Sequence, residues 1–200
     1  MPPLKSRLEH YPMRNALFSG ERTALIAPTQ GRVLEICCEA DRNIPYYSPW
    51  VTDLAIVCLD GPVAPVRYQS NDRGLHIELS RIGADAVALP FPDAAFDWAV
   101  STLTLCRLKD AAAILAEVRR VLKPSGAFVF LEHGRSENPT TRRLQERIHD
   151  LWIRVGGCDL DREIDRMIGA AEMHIESLQR YQLGQPGFLS AMYRGSARRA

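Results

Sequence analysis

His133 stands just after the apolar run 127–131. An imidazole held at the end of a buried strand can take a proton near neutral pH, which makes His133 the best general-base candidate in the chain; a hydrogen-bonded structural histidine is the alternative. Cys106 and Cys158 carry thiols that suit either the wall of an acceptor pocket or buried packing, since a free cysteine behaves as a small hydrophobe. Trp152, like Trp50, suits a pocket wall or a core. Cys37 and Cys38 are adjacent and raise the question of a metal site. Such a site needs about four ligands at suitable spacing, which neighbouring cysteines alone do not supply, so no metal is expected.

These groups need elements to position them. Residues 32–38 form a short apolar run, a good buried strand, and 43–49 read as a turn or helix start. A second strand, 54–60, ends at Gly61-Pro62. A poorly patterned stretch follows, 75–79 is ambiguous, and 85–89 is a short possible strand closed by Pro90 and Pro92. Residues 96–103 read as a strand. Over 109–122 the apolar positions Ala112, Leu115, Ala116, Val118, Val121 and Leu122 have helical spacing, and Pro124-Ser125-Gly126 is expected to stop the helix. Another strand follows at 127–131, then amphipathic helices at 140–154 and 161–171, then a strand pair within 174–194. Strands separated by helices predict an α/β protein with a mostly parallel sheet and helices on both faces. Ligands in such sheets sit beyond the carboxyl ends of the strands, here 37–43, 58–62, 85–86, 101–106 and 132–133.

Composition narrows the partners. The chain has 200 residues, with 25 Lys+Arg against 24 Asp+Glu and a net charge of +1. That suits one domain and argues against nucleic-acid binding through bulk charge. Mean hydropathy is −0.17, and no apolar run approaches the roughly 20 residues that span a bilayer, so no integral membrane segment is expected. The first residues lack the apolar stretch of a signal peptide. An odd number of cysteines, 5, does not suggest a disulfide framework. The expected setting is the cytoplasm, with reduced thiols.

Several stretches together resemble the class I S-adenosylmethionine-dependent methyltransferases: 33–36 with 43–47, the run 89–97, then 101–106, 117–126 and Leu131-Glu132-His133. Leu151-Trp152, Gly156-Gly157-Cys158 and Tyr193-Arg194-Gly195 are similar to the small phosphatidylethanolamine N-methyltransferase-like branch and its thiol-methylating cousins. The resemblance covers the chain from about Gly31 to its end. It implies a Rossmann-like fold in a single domain, 1–200, with a cofactor-site core at 31–135 and C-terminal helices with a strand pair at 136–200; residues 1–30, which mix charge with Leu, Ala and Phe, read as an N-terminal helical region. It implies S-adenosylmethionine as cofactor and a small-molecule acceptor. By this resemblance Glu35 lies near the cofactor's amino group. Asp85, with Ala86 beside it, matches the acid at the adenine amino group, and Ser101 and Thr102 match the strand end near the cofactor's sulfur. Asn43, Tyr46 and Tyr47 match a segment leading into the first helix, where they either touch substrate or cap and pack.

Two departures from the family pattern stand out. The family's first motif has the form E-x-G-x-G-x-G, and Cys37, Glu39 and Asp41 occupy its glycine positions. Glycine there permits a tight turn and close approach of backbone to ligand. A carboxylate there suits the cofactor's amino group and repels its carboxylate. The acid that grips the ribose is expected about 20 residues after the loop, and that register falls on Cys58, whose thiol cannot accept two strong hydrogen bonds. Asp60, two positions on, replaces it if the strand end is shifted; otherwise it is a turn residue. The resemblance implies methyl transfer. The departures keep open a methyltransferase-fold protein that catalyses a cofactor-independent step, such as a cyclisation or isomerisation, or only binds a ligand or partner.

Overall fold

A computed structural model describes residues 12–37, 42–59, 64–70, 74–81, 88–183 and 191–199. Its strands are β1 (Gly31–Cys37), β2 (Val51–Cys58), β3 (Ala64–Ser70), β4 (His76–Arg81), β5 (Phe96–Thr102), β6 (Leu122–His133), β7 (Met173–Gln182) and β8 (Ala191–Arg199). They form one 8-stranded sheet in the order β3-β4-β2-β1-β5-β6-β8-β7. The stretch from β4 to β6 is parallel throughout, and β3, β7 and β8 add antiparallel edges. After β1 the chain moves outward to β2, and later returns to β1's other side with β5. The switch point of the strand order therefore lies between β1 and β5, the place where sheets of this kind bind ligands beyond the carboxyl ends.

Side chains alternate between two cores, as the period of a strand requires. On one face Val33, Cys37, Leu54, Ile56, Val100, Val129 and Leu131 pack with Phe18, Leu25 and Ile26 of α1 (Pro12–Ile26). On the other, Leu34, Ile36, Ala55, Val57 and Ala99 pack with helices α2 (Ala111–Val121) and α4 (Ile164–Ala170). Helix α2 starts where the Asp110 carboxylate accepts from the Ala113 N–H at 3.0 Å. It buries Ile114, Leu115, Val118 and Val121, one helical face. Helix α3 (Pro139–Gly156) ends at Gly157, whose φ of 70° is the left-handed cap that glycine adopts freely.

The expected α/β architecture is present, with local corrections. The poorly patterned stretch holds β3, paired antiparallel to β4. Leu89 and Pro90 lie outside any strand, and residues 85–87 lie outside the described residues. Pro124-Ser125-Gly126 does not stop the helix. It ends at Val121, and Leu122 already has extended backbone that opens β6. The proline is tolerated because the β5–β6 ladder is irregular there: Phe96 pairs with Leu122, but Trp98 pairs with Ala127.

The segment after residue 88 is held by α2. Glu117 accepts the Leu89 N–H at 2.8 Å, and Arg120 donates to the carbonyls of Phe91 at 2.9 Å and Leu89 at 3.1 Å. Arg120 also pairs with Glu117 at 2.7 Å, and the two side chains are 31% and 17% exposed. Arg120 holds the Glu117 carboxyl below the usual carboxylate range, against the opposing effect of burial. A lowered folded-state pKa gives stability that is present above the unfolded value and lost as pH falls through the folded one. Glu117→Gln is therefore expected to cost about 1–2 kcal/mol at neutral pH, allowing for solvent screening. Urea unfolding at a series of pH values should show the gap closing below the carboxylate range; a gap of constant size would refute the assignment.

Candidate active site at the carboxyl ends of β1, β5 and β6

Glu35 is 1% exposed, on the sheet face that α1 covers. Its carboxylate accepts from Tyr47 Oη at 2.6 Å and from Asn43 Nδ2 at 3.0 Å, and the same Asn43 amide donates to Thr102 Oγ1 at 2.8 Å. The network ties β1, β5 and the short helical turn Ile44–Tyr46 together at the switch point. Burial raises the Tyr47 phenol well above its ordinary pKa, and the Glu35 charge adds to it. Asn43 Oδ1 is buried and accepts no hydrogen bond among the described residues. Arg22 of α1 is 4% exposed, and its Nε is also buried without a hydrogen-bond partner there. Burial pulls this guanidinium down, while Tyr46 and Glu35 favour its charge. Tyr46 thus belongs with Arg22, and Tyr47 with Glu35.

Cys37 and Cys58 are register partners on β1 and β2, with their sulfurs 3.2 Å apart. The position at which the family pattern puts a ribose acid therefore holds a buried thiol against a thiol. Glu39, Asp41, Asp60, Asp85 and Ala86 lie outside the described residues.

The chain after β5 is pinned from several sides. Glu132 is fully buried and accepts from Ser101 Oγ at 2.6 Å, the Thr104 N–H at 3.1 Å and the Cys106 N–H at 3.3 Å. Burial pushes its carboxyl up, and these hydrogen bonds oppose that. Arg162 donates to Leu105 O at 2.5 Å and to Leu108 O, and pairs with Asp159 at 3.0 Å. The Asp159 N–H returns to Cys106 O at 2.6 Å. Ser101 thus turns toward Glu132, and Thr102 toward Asn43.

This frame gathers Cys106, His133 and Cys158. Cys106 Sγ lies 3.8 Å from His133 Nδ1 and donates to Cys158 Sγ at 3.8 Å. That hydrogen bond and the His133 imidazole hold the Cys158 thiol well below its ordinary range, against the opposing effect of burial. Phe18 meets the His133 ring edge-on at 6.3 Å. Trp152 packs beside Cys106, Cys158 and Leu160. The structure therefore assembles the expected residues into two groups: Glu35 with Asn43, Tyr47 and Thr102, and His133 with Cys106, Cys158 and Trp152.

Sequence reasoning missed Arg162 and Arg22, and placed Glu132 at a strand end without giving it a role. Arg22 had a signal: it sits four residues after Phe18 and three before Leu25, on the apolar face of its helix. Glu132 had a weaker one, a carboxylate at the end of an apolar run. Arg162 had none beyond Asp159 three residues before it, because the carbonyls it holds, those of Leu105 and Leu108, are distant in sequence.

A doubly wound sheet with polar groups converging at its switch point defines the class. Residues 34–130 match the methyltransferase domain family, which supports a class I S-adenosylmethionine-dependent methyltransferase. Thiol S-methyltransferase TMT1A of Homo sapiens is 31% identical over 156 residues, 75% of this chain and 63% of that protein. The chain thus spans a little under two thirds of the length of that curated relative. Among solved structures, 1,6-didemethyltoxoflavin-N1-methyltransferase of Burkholderia thailandensis, with S-adenosylhomocysteine bound, has a TM-score of 0.62 at 15% identity, covering 98% of this chain and 84% of that one. The [4+2]-cyclase SpnF has a TM-score of 0.66 at 16% identity, covering 92% and 80%. Likeness at such identities establishes the shared fold and no more. Among the described residues, no helix is long and apolar enough to cross a membrane.

Proposed function

We propose that the protein methylates the sulfur of a small thiol with S-adenosylmethionine as donor. The cluster of Cys106, His133 and Cys158 beside the end of β5 is the observation that carries this reading, because it offers a buried proton acceptor with thiol-compatible walls. The thiol-methylating relative supports it.

The residues present fit the cofactor. The methionine part of S-adenosylmethionine is a zwitterion. Arg22 Nε is a buried donor in need of an acceptor, and Asn43 Oδ1 a buried acceptor in need of a donor. Both have Glu35 as a neighbour. Arg22 would hold the carboxylate, Asn43 with Glu35 the ammonium. When bound, the cofactor supplies a methyl group already activated by its sulfonium, so the protein's task is alignment and exclusion of water. Helix α1 closes one side of the site through Phe18. Glu132 and Arg162 fix the turn that carries Cys106. His133 accepts the proton of the incoming thiol, whose sulfur keeps the electron pair it uses on the methyl carbon. A reducing compartment such as the cytoplasm keeps the cysteines as thiols.

The test is a turnover assay with S-adenosylmethionine and a small alkyl thiol, following S-adenosylhomocysteine. Thioether formation is expected, and His133→Ala should lower the rate by about 10²–10⁴-fold, the usual size of a general-base contribution. Absence of both turnover and calorimetrically measured cofactor binding would overturn the reading.

A further inference from the structure

We propose that Cys106, His133 and Cys158 bind one zinc-class divalent ion, whose fourth tetrahedral position takes the acceptor's sulfur. The donors meet only in the fold: Cys106 follows β5, His133 ends β6, and Cys158 follows α3. Their ligand atoms all lie within 4.8 Å of one another. The sulfurs are 3.8 Å apart, and Cys106 Sγ is 3.8 Å from His133 Nδ1. Two thiolates bound to tetrahedral zinc at about 2.3 Å stand about 3.8 Å apart, and a thiolate and an imidazole nitrogen about 3.6 Å apart. Both separations from Cys106 Sγ are thus already close to ligating values.

Exposures of 0% for Cys106, 3% for His133 and 8% for Cys158 place the cluster away from bulk water. The backbone on either side is held by Glu132 at the Cys106 N–H, 3.3 Å, and by the Asp159 N–H at Cys106 O, 2.6 Å. Thiolates and imidazole together select zinc over magnesium or calcium, which take oxygen ligands. Three protein donors leave one position open, as in catalytic zinc sites rather than structural ones. The role of that position rests on the thiol-methylation reading. A thiol entering it would displace a metal-bound hydroxide: a metal–sulfur bond replaces the metal–oxygen bond, and the S–H proton leaves on that hydroxide as water. The bound sulfur retains a lone pair to attack the methyl carbon. In the ion-bound protein His133 is a ligand, and its role as base belongs to the ion-free protein.

The full chain, stripped with a chelator and kept reduced, should develop a thiolate-to-cobalt charge-transfer band with one equivalent of Co²⁺, and Zn²⁺ should bleach it. Cys106→Ser and Cys158→Ser should lose the band and Cys37→Ser keep it, with far-ultraviolet circular dichroism reporting the fold of each. In the unsubstituted protein, Zn²⁺ should shield Cys106 and Cys158 from alkylation, a readout that needs no variant. No band at one equivalent, or a band that survives in both serine variants, overturns the site. Mercaptoethanol should shift the cobalt bands, and Zn²⁺ should raise the methylation rate of the stripped protein. Unshifted bands, or equal rates with and without Zn²⁺, overturn the role of the fourth position and leave methyl transfer standing. Shifted bands without methylation of any thiol leave the ion site standing and remove the methyl-transfer reading.

Discussion

Glu132→Ala is expected to destabilise the protein by about 3–5 kcal/mol, a large share of the 5–15 kcal/mol typical of a whole domain. The reason is the company Glu132 keeps. Its carboxylate accepts from the Ser101 hydroxyl at 2.6 Å and from the backbone N–H groups of Thr104 at 3.1 Å and Cys106 at 3.3 Å. All of these are buried, so water cannot replace the lost acceptor. Leaving a buried donor unmatched costs about 1–3 kcal/mol, and several are abandoned together. Glu132→Gln keeps one carbonyl oxygen but turns an NH₂ group toward a donor, so it should lose about half as much. Urea denaturation measures both. The turn after β5 should loosen as well, which alkylation of Cys106 below the unfolding midpoint would report. A loss under about 1 kcal/mol in the alanine variant would mean that Arg162 and Asp159 hold the turn without Glu132.

Glu35→Gln is expected to weaken binding of S-adenosylhomocysteine by about 1.5–3 kcal/mol, roughly 10- to 150-fold in Kd. Glu35 joins Asn43 and Tyr47 at distances of 3.0 and 2.6 Å, and it neighbours the Arg22 guanidinium. Glutamine preserves the shape and removes the charge that orients these donors. Tyr47→Phe is the control, because it deletes a hydrogen bond and keeps the Glu35 charge. It should cost stability by about 1 kcal/mol and leave affinity nearly intact. Calorimetric titration reads affinity, and thermal unfolding reads stability. If Glu35→Gln lowers the melting temperature but not the affinity, Glu35 only braces Tyr47, and the ligand-holding role falls to Arg22.

Most of the central fold was legible because its signals are local. The apolar runs that became β1, β2, β5 and β6, and the helical spacing that became α2, are visible within windows of a few residues. Strand β3 was not, because an edge strand is under weaker constraints and its sequence, APVRYQS, lacks an apolar run. The beginning of β6 was misjudged for a related reason. Pro124 and Gly126 look like breakers, but a ladder already irregular opposite Phe96 and Trp98 absorbs them. In the site, His133 and Glu35 could be proposed from their places at strand ends. Asn43, Tyr47, Thr102, Cys106 and Cys158 could be named as candidates too, but not which of them meet, since Asn43 and Thr102 stand 59 residues apart and Cys106 and Cys158 stand 52 apart.

By itself, then, the amino-acid sequence determined the alternation of strands and helices, the methyltransferase ancestry, and which residue types stand at the strand ends. Those are properties of short windows, in which burial period and turn chemistry act on neighbours. Only the tertiary structure decided that Arg22 is buried where the Glu35 charge acts on it, that Glu132 supports Ser101 and Cys106, and that two cysteines and one histidine gather within 4.8 Å of one another. The physical reason is that hydrogen bonding and coordination depend on separations of a few ångströms, which packing of the sheet and its helices sets and which spacing along the chain does not encode.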